Sequence, residues 1–331
     1  MRILDHSNNL VGQLLPFKNR WAWELYLKGV KNNWVPNDIS MAKDIEQWNL
    51  NILSPDEKLL IKRCLGFFAG SESLVSNNLL LNIFSYVNDP CARQYILRQA
   101  NEEGVHNFTI VYICESLALN PSELYEAYQK IPSIKAKDDF LQRVIRNIDI
   151  TNIRGEAELS DILTNIITFY IVCEGILFYT GFASLLSLSR NNKIPGIGEQ
   201  INYSLRDEVL HVEFGTQLIK TIIKQYPELW TEVYQAKIII NIEEAVDLEI
   251  AYSKDILPRG ILGLTPDLLK DYVAYLGNYR FEQIGITHRI TKKPVRNPFP
   301  WLSETIELPK LKNFFETRVL EYQTGGLKDD M

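Results

Sequence analysis

Two pairs of side chains that commonly bind metals stand at helical spacing in this 331-residue chain. Glu103 precedes His106 by three residues, and Glu208 precedes His211 by the same interval. Residues three apart lie on one face of a helix, so each pair can offer a carboxylate and an imidazole to one point. The chain has only four histidines, and two of them share this arrangement. The spacing therefore predicts a metal site, with a buried polar network as the alternative.

A single glutamate precedes each pair on an earlier apolar, helix-patterned stretch. One Glu from each of two helices and a Glu-x-x-His motif from each of two others form the ligand set of dinuclear ferritin-like bundles. The predicted metal ligands are therefore Glu72, Glu103, His106, Glu174, Glu208 and His211. Four carboxylates and two imidazoles suit iron and manganese, which accept the same donors. Open coordination positions on such ions would imply chemistry with O2.

The elements that position these side chains should be long helices, because apolar residues recur at helical spacing and most Gly and Pro fall between segments. Ser54-Pro55-Asp56-Glu57 is a typical helix start, with a cap, a proline at the first position and then acids. The pattern predicts helices over about 54–86, 91–119, 121–130, 134–147, 156–188, 198–225, 227–254 and 266–286.

The predicted helix ends place the ligands at one height. Glu72 lies about 14 residues before its helix ends and Glu103 about 12 after the next begins, so antiparallel neighbours bring them level at roughly 1.5 Å per residue. Glu174 and Glu208 repeat this relation in the second half of the chain. The sequence therefore predicts an all-α fold, a ferritin-like helical bundle with a dinuclear metal site in a four-helix core.

The composition is ordinary for a soluble globular protein, with 46% hydrophobic and 23% charged residues. The net charge of −6 gives no electrostatic case for binding nucleic acid or an anionic membrane. The four cysteines stand singly, which predicts reduced thiols in a cytoplasmic protein. The apolar stretch 162–188 has Glu174 at its centre, so we interpret it as a buried helix rather than a membrane span.

Four longer motifs extend this pattern. The first two surround predicted ligands, and the last two contain none. They are Phe67-Phe68-Ala69-Gly70-Ser71-Glu72, Arg206-Asp207-Glu208-Val209-Leu210-His211, Asn297-Pro298-Phe299-Pro300-Trp301, and Asn313-Phe314-Phe315-Glu316-Thr317-Arg318-Val319 followed by Glu321-Tyr322. With these motifs the chain resembles the radical-generating small subunit of class I ribonucleotide reductase, from about Trp34 to Tyr322. The resemblance implies a homodimer whose metal pair reacts with O2 and stores a one-electron oxidant. That oxidant would pass to a cysteine of a separate large subunit, where ribonucleotides become deoxyribonucleotides.

The resemblance also implies roles that spacing alone does not assign. Trp34 and Asp207 match a relay beside the metals, in which a carboxylate links a ligand histidine to the indole. Tyr322 matches the tyrosine that hands the radical across the subunit interface, and Tyr203 would be an exit branch for activation electrons. Core packing is the alternative for Trp34 and Tyr203. We expect a metal-binding helical domain over 1–310 and a tail over 311–331 that docks on the large subunit.

One position departs from the common family pattern. Most members carry the radical tyrosine four residues after the first ligand histidine, where this chain has Ile110. An aliphatic side chain cannot hold a stable radical, and Tyr112 points to a different helix face. The oxidant would then reside on the metals, which resembles class Ic with its manganese–iron centre. Glu72, often aspartate in the commoner subclass, points the same way; dimanganese (class Id) and diiron centres stay open.

Two other functions stay open at this point. A related ligand-binding oxidase joins a valine to a tyrosine near its metals; Val75 is in place, but Tyr170 is out of register. The oxidase would leave Trp34, Tyr322 and the tail without a role, and metal storage in a ferritin-like shell would leave Tyr322 without one. Other polar residues receive plainer interpretations: Glu102, Glu115 and Glu213 as acids at the surface or behind the ligands, and His6 and His288 as unrelated to the metals.

Overall fold

The computed structural model describes residues 2–4, 13–78, 82–144, 156–292 and 294–302, without the side chains of residues 72–78, 128 and 156–157. Over these ranges the chain is helical and forms no strand, apart from one isolated bridge between Ile261 and Leu264. The prediction of an all-α fold is confirmed. The predicted tail, 311–331, lies outside the described residues.

The α-helices of the described chain are numbered here in order. They are α1 Arg20–Lys31, α2 Ala42–Asn49, α3 Pro55–Asn78, α4 Phe84–Tyr86, α5 Pro90–Ser116, α6 Pro121–Tyr125, α7 Ala127–Lys130, α8 Pro132–Val144, α9 Glu156–Ile167, α10 Tyr179–Arg190, α11 Pro195–Gln225, α12 Glu232–Ile256 and α13 Pro266–Gln283. A π-helix, Thr168–Leu177, joins α9 to α10. Short 3-10 helices cover Pro36–Asp38 and Pro227–Leu229.

Three features differ from the sequence prediction. The predicted helix over 156–188 is interrupted by the π-helix, which hydrophobic periodicity does not distinguish from an α-helix. The helix predicted from Pro227 begins at Glu232, because the Thr231 side chain accepts from the Tyr234 N–H and caps it there. Helices α1 and α2 precede the first predicted helix start and were not predicted.

Four long helical segments form the core, namely α3, α5, α11, and the π-helix continued by α10. Helix α3 packs against α5, α5 against α11, and α11 against both the π-helix and α10, while α10 returns to α3 and closes the ring. Helix α1 covers α5 and α11 on one side, and α8, α12 and α13 cover the π-helix on another. This is the four-helix core of a ferritin-like bundle.

Side-chain caps fix where the long helices begin. The Asp89 carboxylate accepts from the N–H groups of Cys91 and Ala92 at 3.0 Å, which starts α5. Asp44 of α2, fully buried, accepts from the N–H groups of Gly196 and Ile197 at 2.8 and 2.9 Å and so caps α11 from a distant part of the chain. These caps set the register of the two helices that carry the Glu-x-x-His motifs.

The apolar central helix is long enough to cross a membrane by length and composition. It covers Glu158–Arg190, with the most apolar 18-residue window wholly buried inside the protein. This burial is what the sequence interpretation expected of a core helix.

The residues up to Pro298 form one compact unit. The unit that begins at Phe299 is described only over 299–302, where the Leu302 N–H donates to the Phe299 carbonyl oxygen at 2.9 Å.

Candidate metal centre

Four buried side chains converge in the middle of the bundle. One ligand atom from each of Glu103, Glu174, Glu208 and His211 lies within 4.8 Å of all the others. Helix α5 supplies the first, the π-helix the second and α11 the last two. All four side chains are fully buried. A group of this kind is able to hold a metal ion.

The two histidines flank the carboxylates of Glu103 and Glu208. Nδ1 of His106 lies 3.5 Å from Glu103 Oε2 and 3.3 Å from Glu208 Oε1. Nδ1 of His211 lies 3.3 Å from Glu103 Oε1 and 3.4 Å from Glu208 Oε2. The two imidazole centroids are 6.1 Å apart. Both carboxylates are therefore shared, with one oxygen directed at each histidine.

The outer nitrogen of each imidazole faces a second acid. Nε2 of His211 lies 2.9 Å from Glu102 Oε2, and Nε2 of His106 lies 3.5 Å from Asp207 Oδ2. Both acids are buried. A carboxylate behind an imidazole fixes the ring orientation and directs the other nitrogen at the metal position.

The cluster is electrostatically incomplete on its own. Among the described residues, both oxygens of Glu103 and of Glu208, one of Glu174 and Nδ1 of His211 lack a hydrogen-bond partner. Burial, and after it the charge of Glu208, raises the pKa of Glu174 well above its usual value. Buried carboxylates without donors are costly unless cations bind them, so this residue set fits a metal pair.

The pKa of His211 shows the same demand for positive charge. Burial would lower the pKa of His211, yet the surrounding carboxylates, Glu208 foremost, raise it well above its usual value. Burial would raise the pKa of Glu103, but interactions with His106 and His211 lower it. Metal cations between the carboxylates would balance the same negative charge.

Further polar residues support the cluster from behind. Gln99 donates to Glu174 Oε1 at 2.8 Å, and Gln99 accepts from the Tyr170 hydroxyl at 3.0 Å. Arg98 donates through Nε to Glu102 Oε1 at 2.8 Å. The sequence analysis did not assign Gln99, Arg98 or Tyr170 a role at the site.

The predicted relay residues lie next to His106. The indole Nε1–H of Trp34 donates to Asp207 Oδ2 at 2.8 Å, so Asp207 stands between Trp34 and His106. The ring of Tyr203 lies 5.4 Å from that of Trp34, and its hydroxyl donates to Glu199 Oε1 at 3.1 Å. The structure therefore brings Trp34, Asp207 and Tyr203 together.

The remaining predicted site residues are only partly described. Glu72 lies in α3, but its side chain is outside the described residues, as are Tyr322 and His6. Ile110, four residues after His106, is buried in α5. The Tyr112 hydroxyl donates to the Ile39 carbonyl oxygen at 3.0 Å, on a different face of α5.

Glu102 is an acid behind a candidate ligand, which was one of the two interpretations left open by the sequence analysis. The sequence analysis did not identify His211 as its partner. The signal was present in the sequence, because Glu102 immediately precedes Glu103 as Asp207 immediately precedes Glu208. Each acid contacts the histidine of the opposite helix, so the pattern repeats in both halves of the chain.

The bundle and its buried cluster define a ferritin-like protein with a site able to hold a metal ion. The sequence matches the family model for ribonucleotide reductase, small chain, over residues 12–298. It is 50% identical over 321 residues to the ribonucleoside-diphosphate reductase subunit beta of Chlamydia pneumoniae, covering 96% of this chain and 91% of that one.

More distant relatives agree. Over 319 residues the chain is 31% identical to ribonucleoside-diphosphate reductase small chain 1 of Saccharomyces cerevisiae, covering 95% of this chain and 74% of that one. The structure of the ribonucleotide reductase R2 subunit from Clostridium botulinum matches with a TM-score of 0.78 at 25% identity, over 88% of this chain and 89% of that one. The chain therefore belongs to the class I ribonucleotide reductase small-chain family, a family of oxidoreductase subunits. The resemblance seen in the sequence is confirmed at that level.

Proposed function

We propose that this chain is the oxidant-generating subunit of a ribonucleoside-diphosphate reductase and that its buried cluster holds two metal ions. The proposed ligands are Glu72, Glu103, His106, Glu174, Glu208 and His211. The observation that carries the proposal is the inward orientation of both Nδ1 atoms toward two shared carboxylates. Glu72 is included for its place in α3, which packs against α5.

When bound, such a metal pair supplies a one-electron oxidant after reaction with O2. The chain's own residues bind and orient it. Asp207 and Glu102 hold the two imidazoles, and Gln99 holds one oxygen of Glu174. The buried π-helix and α5 keep bulk water away, which strengthens every electrostatic interaction inside the site.

The contacts of Trp34 support a relay out of the site. Its indole N–H donates to Asp207, whose other neighbour is the ligand histidine His106. A metal pair held there would supply the oxidant; Trp34 would be the electron donor, and Oδ2 of Asp207, which accepts its N–H, would hold the indole proton. Tyr203 is half-buried like Trp34 and lies 5.4 Å from its ring, and it is the proposed exit branch for activation electrons.

The chain has an aliphatic residue where most family members carry the radical tyrosine. Ile110 is buried there, and the Tyr112 hydroxyl is bonded to Ile39 instead. We therefore propose that the oxidant resides on the metals, and we favour a manganese–iron pair as in class Ic. Mn/Mn and Fe/Fe pairs are the alternatives, since these ions accept the same donors.

The proposed partners follow from the family. We propose a cytoplasmic homodimer that binds O2 and docks on the large catalytic subunit, without nucleic acid or membrane as partners. The division into a helical domain over 1–310 and a docking tail over 311–331 belongs to this proposal. Tyr322 in that tail would carry the radical to the large subunit.

The decisive experiment is nucleotide reduction by the metal-loaded chain together with its large subunit. Tyr322→Phe should take up the metals and react with O2 like the wild type but abolish reduction. Retained turnover would remove Tyr322 from the relay. Electron paramagnetic resonance after O2 activation should show no persistent tyrosyl signal, and detection of one would contradict the argument from Ile110.

The ligand-binding oxidase and the storage protein make different predictions. The Tyr170 hydroxyl is bonded to Gln99, which itself binds Glu174, and this favours a structural role over a cross-link with Val75. A lipid-like ligand extracted from the core would favour the oxidase. A large shell in solution, rather than a dimer, would favour storage.

A further inference from the structure

Glu174 stands on the π-helix Thr168–Leu177, where backbone hydrogen bonds span five residues instead of four. All ten residues of this segment are buried. π turns are rare and occur frequently at functional sites. Because water does not reach this backbone, any carbonyl without a partner inside the helix needs a side-chain donor.

Arg280 of α13 reaches the residue that follows Glu174. Its Nε donates to the Gly175 carbonyl oxygen at 2.9 Å, and its Nη1 donates to Gln283 Oε1 at 2.7 Å. The guanidinium carbon lies 5.2 Å from the centroid of the Tyr179 ring. Arg280 is only 4% exposed. A buried, charged donor of this kind holds its acceptor more firmly than a neutral one.

Gly175 allows this close approach. A Cβ at this position would lie 2.8 Å from Arg280 Nε and 3.0 Å from the Tyr170 carbonyl oxygen. Side-chain carbons do not pack that closely against such atoms, so the guanidinium would have to move away. The glycine and the arginine therefore form a matched pair directly beside Glu174.

A second cation holds the end of the same segment. Lys137 of α8, fully buried, donates through Nζ to the Leu177 carbonyl oxygen at 2.8 Å. Its charge is balanced by an ion pair with Glu249, and Nζ lies 3.3 Å from the ring centroid of Phe67. Two helices outside the four-helix core thus each place one cation on a carbonyl of the π-helix.

We propose that Arg280 is a positioning residue for the metal centre: by holding the Gly175 carbonyl, it fixes the π turn that directs the Glu174 carboxylate toward His211. Glu174 Oε1 lies 3.7 Å from Nδ1 of His211, and both belong to the group able to hold an ion. Loss of Arg280 should therefore weaken the ion beside His211 more than the ion beside His106. This inference rests on the proposed dinuclear site.

The test is Mn²⁺ titration of the full-length, metal-free protein, with thermal unfolding measured on the same samples. The wild type should bind two ions. Arg280→Met should bind one ion as the wild type does and the other about 10-fold or more weakly. Arg280→Lys should recover most of this affinity, because its ammonium can donate to the same carbonyl. Arg143→Met is the matched control, since Arg143 pairs with Glu244 at the surface.

The outcomes distinguish the dinuclear site from the positioning role of Arg280. A wild type that binds no Mn²⁺ or one ion would contradict the dinuclear site itself. A wild type with two ions and an Arg280→Met variant that binds both unchanged, with only a lower Tm, would overturn the positioning role. If Arg280→Met does not fold, Gln283→Leu removes the second partner of the guanidinium and should weaken the same ion by a smaller factor. Unchanged affinity in Gln283→Leu would then overturn the inference.

Discussion

Nε2 of His211 lies 2.9 Å from Oε2 of Glu102, an acid on the neighbouring helix, and both side chains are buried. The same relation joins His106 of α5 to Asp207 of α11 at 3.5 Å. Each long helix therefore orients the histidine of the other. The two halves of the site share their supports as well as their central carboxylates, so damage to one acid acts on the opposite helix.

Replacing Glu102 by glutamine should weaken one of the two metal ions. The change removes the charge that holds the His211 ring, and loss of such a partner typically costs about 10–100-fold in metal affinity. Mn²⁺ titration measures it. Glu213→Gln is the control, because Glu213 lies on α11, as His211 does, and pairs with Lys28 of α1 at the surface. Equal affinities in the two variants would show that Glu102 does not orient the ligand.

Trp34→Phe should separate metal binding from turnover. Phenylalanine keeps an aromatic ring but lacks the N–H that donates to Asp207 at 2.8 Å. We expect two ions to bind as in the wild type and nucleotide reduction with the large subunit to be lost. Trp230→Phe is a suitable control, since Trp230 packs on Tyr234. Wild-type turnover in Trp34→Phe would exclude the indole from the relay.

Removing residues 323–331, which follow Tyr322, should weaken binding of the large subunit. The proposal assigns docking to this tail, so its loss should raise the Kd while the metal content stays the same. Titration of the large subunit with truncated and full-length chains measures the difference. The same Kd for both would show that residues 323–331 do not contribute to docking.

Glu57→Gln should destabilise the protein in a pH-dependent way. The Ser54 N–H donates to Glu57 Oε2 at 2.8 Å, and the Glu57 N–H donates to Ser54 Oγ at 3.3 Å, a reciprocal cap at the start of α3. Burial would raise the pKa of Glu57, but Lys193 and Ser54 lower it below its usual value. The charged carboxylate therefore stabilises the folded state.

The lowered pKa of Glu57 in the folded state sets the direction of this pH dependence. The stabilisation is present above the unfolded pKa of about 4.3 and is lost as the pH falls through the lower folded value. Glu57→Gln should reduce the free energy of unfolding by about 1 kcal/mol at pH 7 and by less as the pH falls below about 4.3. Urea unfolding of the metal-free protein across this range measures it. Glu123→Gln, at an exposed pair with Lys62, should show no such trend.

The sequence predicted the helices and the convergence of the described candidate ligands because both depend on spacing. Glu103, Glu208 and His211 meet because three-residue intervals and helix ends set their faces and heights. Hydrophobic periodicity could not show that Glu174 stands on a π-helix, since both helix types bury an all-apolar segment. Arg280 contacts that segment from 105 positions away in the sequence, and Lys137 from 40 positions away. A local sequence pattern cannot predict contacts over such separations.

Through Asp44, the segment before α3 helps to position α11 and the candidate metal site. It caps α11 from α2, and Gly196 has no room for a Cβ there, which would lie 2.5 Å from the Ser40 carbonyl oxygen. A shortened protein starting at Ser54 would keep all six proposed ligands and still lose both the anchor of α11 and the indole at Trp34. A minimal version for protein engineering therefore has to retain this leading segment, although no proposed ligand lies within it.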